Sequence, residues 1–169
     1  MKYKVIKKQN NGKKCIVCGL ENNIGLKTSF YELENGKLVG ICTTKEEHQS
    51  YPGRLHGGIS SALLDETIGR AISINNPEIW GVTIDLNTKF RKPVPLDEEI
   101  KIIGEITKET RRGFEGEGKI ILANGEVAVT AWGRYIKMDI DKITNTNIDH
   151  EEWILNLKED DPTEIEIFE

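Results

Sequence analysis

The sequence predicts an α+β fold in which a curved antiparallel sheet wraps around one long central helix. Three observations carry this. Residues 57–73, GGISSALLDETIGRAIS, are too densely apolar for a surface helix. From residue 82 onward the chain alternates with a period of two. Asn35-Gly36 and Asn124-Gly125 each lie between apolar-containing runs, where both residues tolerate the positive φ of a tight hairpin.

Taken in order, residues 1–27 are polar and rich in Lys, Asn and Gly. They read as a loosely structured lead-in with one short element around Lys14 to Leu20. Residues 28–33 and 37–43 form the first hairpin. Residues 44–56, with His48, Gln49, Ser50, Pro52 and Gly53, read as a loop. The helix follows, with apolar residues at 59, 62, 63, 64, 68, 71 and 72, and Asn75-Asn76-Pro77 ends it. In the next strand Val82, Ile84, Leu86, Thr88 and Phe90 fall on one face. Thr83, Asp85, Asn87, Lys89 and Arg91 fall on the other, and Pro93 and Pro95 break the run. Further strands fit residues 98–107, 113–122 and 126–138. Trp153, Ile154 and Leu157 suit a short helix packed on the body, and the final residues read as solvated or frayed. Residues 1–140 are thus one domain, and 141–169 an acidic C-terminal extension rather than a second one. The edges of such a sheet must be covered or paired, which makes pairing between two copies an expectation.

Composition narrows the function classes. A chain of 169 residues suits one domain, and 37% apolar residues can fill its core. A net charge of −5 with both signs interspersed gives no electrostatic case for nucleic-acid binding. The basic start, MKYKVIKKQNNGKK, is not followed by the apolar segment of a secretory signal. No run approaches the ~20 apolar residues that span a bilayer, so no membrane association is expected. Cys15, Cys18 and Cys42 are few and odd in number, which fits a reducing cytoplasm without a disulfide framework.

Chemistry concentrates between Arg54 and Arg70. His56-Gly57-Gly58 opens the helix. Its first N–H groups have no intrahelical partner and sit at the positive end of the dipole. Gly57 and Gly58 are therefore candidate donors to an oxyanion, against the bland reading of a tight turn. Asp65 lies mid-helix, and its neighbours Ser61, Ala62, Ile68 and Gly69 offer no cation. A carboxylate there needs another reason, so Asp65 is the candidate general base or nucleophile. Glu66 has Arg70 four residues on, the favourable order for an ion pair, with a catalytic acid as the second reading. His56 reads as a cap or loop support.

The run HQSYPGRLHGGISSALLDETIGRA resembles the His-Gly-Gly signature of hotdog-fold acyl-CoA thioesterases of the 4-hydroxybenzoyl-CoA and phenylacetyl-CoA (PaaI-like) type. CIVCGLENNIGLKTSFYELENGKLVG resembles their lead-in strands, and LNTKFRKPVPLDEEIKIIGEI the strand unit that follows, so the likeness covers roughly residues 14–138. The resemblance implies a thioester hydrolase on acyl-CoA with no separate cofactor, assembled as a dimer or dimer of dimers. It implies a site between two chains, with Gly57 or Gly58 as oxyanion donor and Asp65 as the carboxylate. Family members often carry an amide ahead of the His-Gly-Gly. Here Ser50 holds that position, and Gln49 or His48 are the substitutes. Lys89, Arg91 and Lys92 are candidates for the CoA phosphates against a plain solvated face, with Arg54 and Arg70 further contacts.

Three rivals remain. Cys15-Ile-Val-Cys18 has zinc-like spacing, but a set would need Cys42 and His48 to complete it, and no metal is expected. A dehydratase would use His56 and Asp65. A non-enzymatic acyl-CoA binder would use neither.

Overall fold

The computed structural model describes residues 1–145 and 152–168. Helix α1 runs Gly57–Ala71 and continues as a 3-10 turn, Ile72–Ile74. Its Leu63, Leu64 and Ile68 are fully buried, which is why its apolar positions exceed one stripe. The sheet that covers it contains β1 (Lys2–Lys8), β3 (Ser29–Leu33), β4 (Leu38–Thr43), β5 (Trp80–Phe90), β6 (Glu99–Glu109), β7 (Gly113–Ile121), β8 (Val127–Met138) and β10 (Glu164–Glu166). Two small strands, β2 (Asn11–Gly12) and β9 (Trp153–Ile154), pair beside it, and α2 is a single turn, Ile140–Ile143. The order is β10-β1-β3-β4-β6-β7-β8-β5, antiparallel throughout. Helix and sheet touch closely. A Cβ at Gly104 of β6 would lie 2.9 Å from the Thr67 carbonyl oxygen of α1, so only glycine permits this approach.

Both Asn-Gly turns form where expected, with Gly36 at φ 79° and Gly125 at φ 86°. The ends of the chain differ from expectation. Residues 2–8 are not a loose lead-in but a sheet strand, in which half-buried Tyr3 and Val5 alternate with exposed Lys2, Lys4 and Ile6. The last residues are not frayed: β10 pairs with β1, and Ile165 and Ile167 are 3% and 1% exposed. The ion pair of Lys8 with Asp161 at 2.6 Å pins this return. Trp153 and Ile154 form β9 against β2 rather than a helix, and Leu157 is 69% exposed. Residues 146–151 and 169 of the acidic extension lie outside the described residues.

Strand β5 carries the change that matters most. Its register against β8 skips Ile84, so Thr83 opposes Tyr135 while Asp85 opposes Arg134. This bulge shifts the alternation by one residue. Ile84 turns outward and is 54% exposed. Gly81 and Thr83 face the helix before the bulge, and Leu86 packs on the core after it. Among the described residues, no helix is long and apolar enough to cross a membrane.

Candidate active site

Helix α1 builds the site at two levels. At its start, His56 is the N-cap, and its Nδ1 accepts the Gly58 N–H at 2.9 Å. That engages one of the two glycine donors. The Gly57 N–H has no partner among the described residues. Here the approach is tight again: a Cβ on Gly57 would sit 3.3 Å from the Phe90 ring.

Two turns on, Asp65 projects from the partly buried face. Its Oδ1 accepts the Thr83 hydroxyl at 2.7 Å and the Tyr135 hydroxyl at 3.1 Å. Oδ2 has no partner among the described residues. Burial first, then the Asp65 charge, push the Tyr135 phenol up, so it stays protonated and donates. Its ring is stacked on Phe114, centroids 4.9 Å apart, which fixes the hydroxyl. Asp65 is thus held by two neutral donors and no cation, whereas its neighbour Glu66 takes Arg70 Nε at 2.8 Å. Glu66 finds its cation one helical turn on, while the donors to Asp65 come from β5 and β8.

Asp65 lines a cavity of about 380 Å³ that also reaches Glu66, Arg70, Cys15 and Cys18. Trp80 and Trp153 close one side, edge to face at 4.9 Å. Arg70 is clamped between the Phe30 and Trp153 rings and donates to the Asn10 carbonyl. It is therefore an internal strut, not a free contact for a CoA phosphate. Cys15 and Cys18 face one another at the cavity wall. Their mutual hydrogen bond holds the Cys15 thiol down at about 7 and pushes Cys18 up. Burial pushes the Cys42 thiol up to about 12.

The other anticipated residues lie apart from this cavity. The Gln49 Oε1 accepts the Gly53 N–H at 3.4 Å within its own exposed loop. His48 is buried, accepting the Lys45 N–H at Nδ1 and meeting the Ile24 carbonyl at Nε2, which one neutral tautomer satisfies. Cys42 and His48 do not join Cys15 and Cys18. Glu66 does, and these three place ligand atoms within 4.8 Å of one another. Lys92 pairs with Glu126. Lys89 and Arg91 line a shallow groove on the outer sheet face with Lys119, Glu105 and Glu117.

Comparison with known proteins supplies the remaining context. Residues 52–129 match the thioesterase superfamily family model. Human acyl-coenzyme A thioesterase 13 is 31% identical over 74 residues, 44% of this chain and 53% of that protein. The chain thus spans about half the length of the curated relatives it matches. A solved thioesterase superfamily protein is 30% identical with a TM-score of 0.68, over 73% of this chain and 60% of that one. The PaaI protein of E. coli, from the phenylacetic acid degradation operon, shares the fold at 14% identity and a TM-score of 0.60, over 67% of this chain and 80% of that one. The fold is the hotdog fold of these structures.

Proposed function

We propose, from the premise that this chain is a relative of the hotdog-fold thioesterases, that it hydrolyses an acyl-CoA thioester to the free acid and CoA. The observation that carries this is Asp65: a carboxylate on a cavity wall, tethered at one oxygen by Thr83 and Tyr135, with the other oxygen free of protein partners among the described residues. As general base it takes a proton from the water that attacks the thioester carbon. As nucleophile it attacks that carbon itself, and water then cleaves the anhydride. In both routes the C–S bond breaks and the CoA sulfur leaves with a proton. The developing oxyanion is received by the Gly57 N–H at the start of α1.

One chain cannot supply both groups to one carbonyl. Gly57 and Asp65 are eight residues apart, about 12 Å along the axis at ~1.5 Å per residue. A second copy resolves this, with Gly57 of one chain facing Asp65 of the other. Among the described residues strand β5 is an edge of the sheet, with exposed Ile84 and Phe90, and suits edge pairing between copies. Lys89 and Arg91, in the groove on the outer sheet face, are the cations proposed for the CoA phosphates, which the pantetheine arm holds away from the thioester.

A panel of acyl-CoAs with a thiol-trapping reagent tests this. Thiol release by the wild type is the expected result. Hydration of an enoyl-CoA without thiol release makes the chain a dehydratase, and saturable binding with neither reaction makes it an acyl-CoA binder. A fully active monomer by light scattering sinks the shared site.

A further inference from the structure

We propose that Cys15, Cys18 and Glu66 bind one divalent transition-metal cation of the zinc class on the wall of the Asp65 cavity. Distances come first. A carboxylate oxygen and a thiolate sharing a tetrahedral zinc, at ~2.1 and ~2.3 Å, stand about 3.6 Å apart. Cys15 Sγ lies 3.7 Å from Glu66 Oε2 and 3.8 Å from Oε1. The Cys18 sulfur completes a set whose atoms all lie within 4.8 Å of one another. Glu66 divides its two oxygens. Oε1 takes Arg70, and Oε2 has only Cys15 Sγ beside it among the described residues.

The donors point the same way. Val17 N–H and Cys18 N–H aim at Cys15 Sγ, at 3.3 and 3.5 Å. Gly12 N–H and Arg70 Nη2 aim at Cys18 Sγ, at 3.1 and 3.0 Å. A neutral thiol is a weak acceptor, and two N–H donors on each of the two sulfurs stabilise the thiolates that form when a bound dication displaces their protons. Around a bound ion these same groups are the outer shell that orients the ligands. Charge closes as well. Two thiolates and Glu66 carry three negative charges, which Arg70 and a dication balance. Sulfur ligands exclude magnesium and calcium and favour zinc. With three protein ligands, the fourth position opens to the cavity, where a water fits.

The test uses the full chain, reduced, stripped with chelator and titrated with cobalt(II). The expected result is a thiolate-to-cobalt charge-transfer band that saturates at one equivalent and is displaced by zinc. Cys15→Ser and Cys18→Ser should each abolish the band. Glu66→Gln keeps both thiols and should weaken affinity at least tenfold, and Arg70→Gln by ~10–100-fold as an outer-shell change. Circular dichroism confirms folding, and if the Ser variants unfold, the wild-type spectrum and Glu66→Gln still decide. The proposal is overturned if the reduced chain gives no charge-transfer band, if the band survives both Ser variants, or if the pair is isolated as a disulfide. None of these readouts depends on thioester hydrolysis.

Discussion

Consider removing the two tethers of Asp65 one at a time. Thr83→Val and Tyr135→Phe each delete a hydroxyl and keep the shape of the side chain. The Thr83 bond, at 2.7 Å, has the length of a charge-assisted O–H···O⁻ contact and is worth about 2–3 kcal/mol. The Tyr135 bond, at 3.1 Å, is long for its class, and the same hydroxyl stands 3.2 Å from the Asp65 carbonyl. One proton serves one acceptor at a time, so this tether is worth about 1–1.5 kcal/mol. Both energies hold the carboxylate in its productive rotamer. Losing them lowers the population of that rotamer, and at ~1.4 kcal/mol per tenfold the ceiling is roughly 30–150-fold for Thr83→Val and about tenfold for Tyr135→Phe. The loss falls on kcat with KM unchanged, because no ground-state contact to substrate is removed. Each single variant keeps one tether, so the double variant should lose more than the product of the two. Steady-state kinetics on an acyl-CoA substrate reads all three. A larger loss in Tyr135→Phe than in Thr83→Val, or a loss confined to KM, refutes the tethering argument.

Leu64→Ala, at a position that is 0% exposed, should cost about 2–5 kcal/mol in urea unfolding. His56→Ala removes the cap on Gly58 and should cost about 1 kcal/mol, measured by the same assay, while folding is retained. Asp161→Asn strips the partner from Lys8, whose side chain is 5% exposed, and should cost about 2 kcal/mol, less than a fully buried pair because Asp161 keeps some solvent. Burial raises the Asp161 carboxyl, but hydrogen bonds from Lys8, the Lys158 N–H and Tyr31 outweigh it and leave it below the usual value. Its stabilisation is therefore present above the ordinary carboxylate range and lost as pH falls through the lowered value, so Asp161→Asn should flatten the acid side of a stability–pH curve.

Much of this fold was legible in the sequence because the dominant signals are local. The helix announced itself by apolar density, and the two hairpins by Asn-Gly. The strand start at Gly113, and to within one residue that at Val127, came from period and turn chemistry. The chain ends were not legible, since β1 and β10 stabilise one another across 166 positions of separation or nearly so, and each alone reads as a polar tail. Within the site, Asp65 stood out by its lack of a helical cation, and Glu66 by having one. Thr83 did not, because strict alternation placed it opposite Val82, on the face away from the helix. The bulge at Ile84 reverses that phase, and a run of VTIDL carries no mark of it. Tyr135 falls inside the strand expected over residues 126–138, with nothing local to single it out. Its register opposite Thr83 is a long-range fact, and it brings both hydroxyls to one carboxylate oxygen.

In the proposed reaction, thioester hydrolysis depends on the Asp65 carboxylate. The most direct measurement is kcat/KM for thiol release by Asp65→Asn, which keeps size and hydrogen-bonding shape, on protein shown to be folded and assembled as the wild type is. A fall of at least about 10²–10⁴-fold, the range for loss of a positioned base, is the result expected. Retention of the wild-type rate within a few-fold would contradict it and place the chemistry elsewhere on the chain.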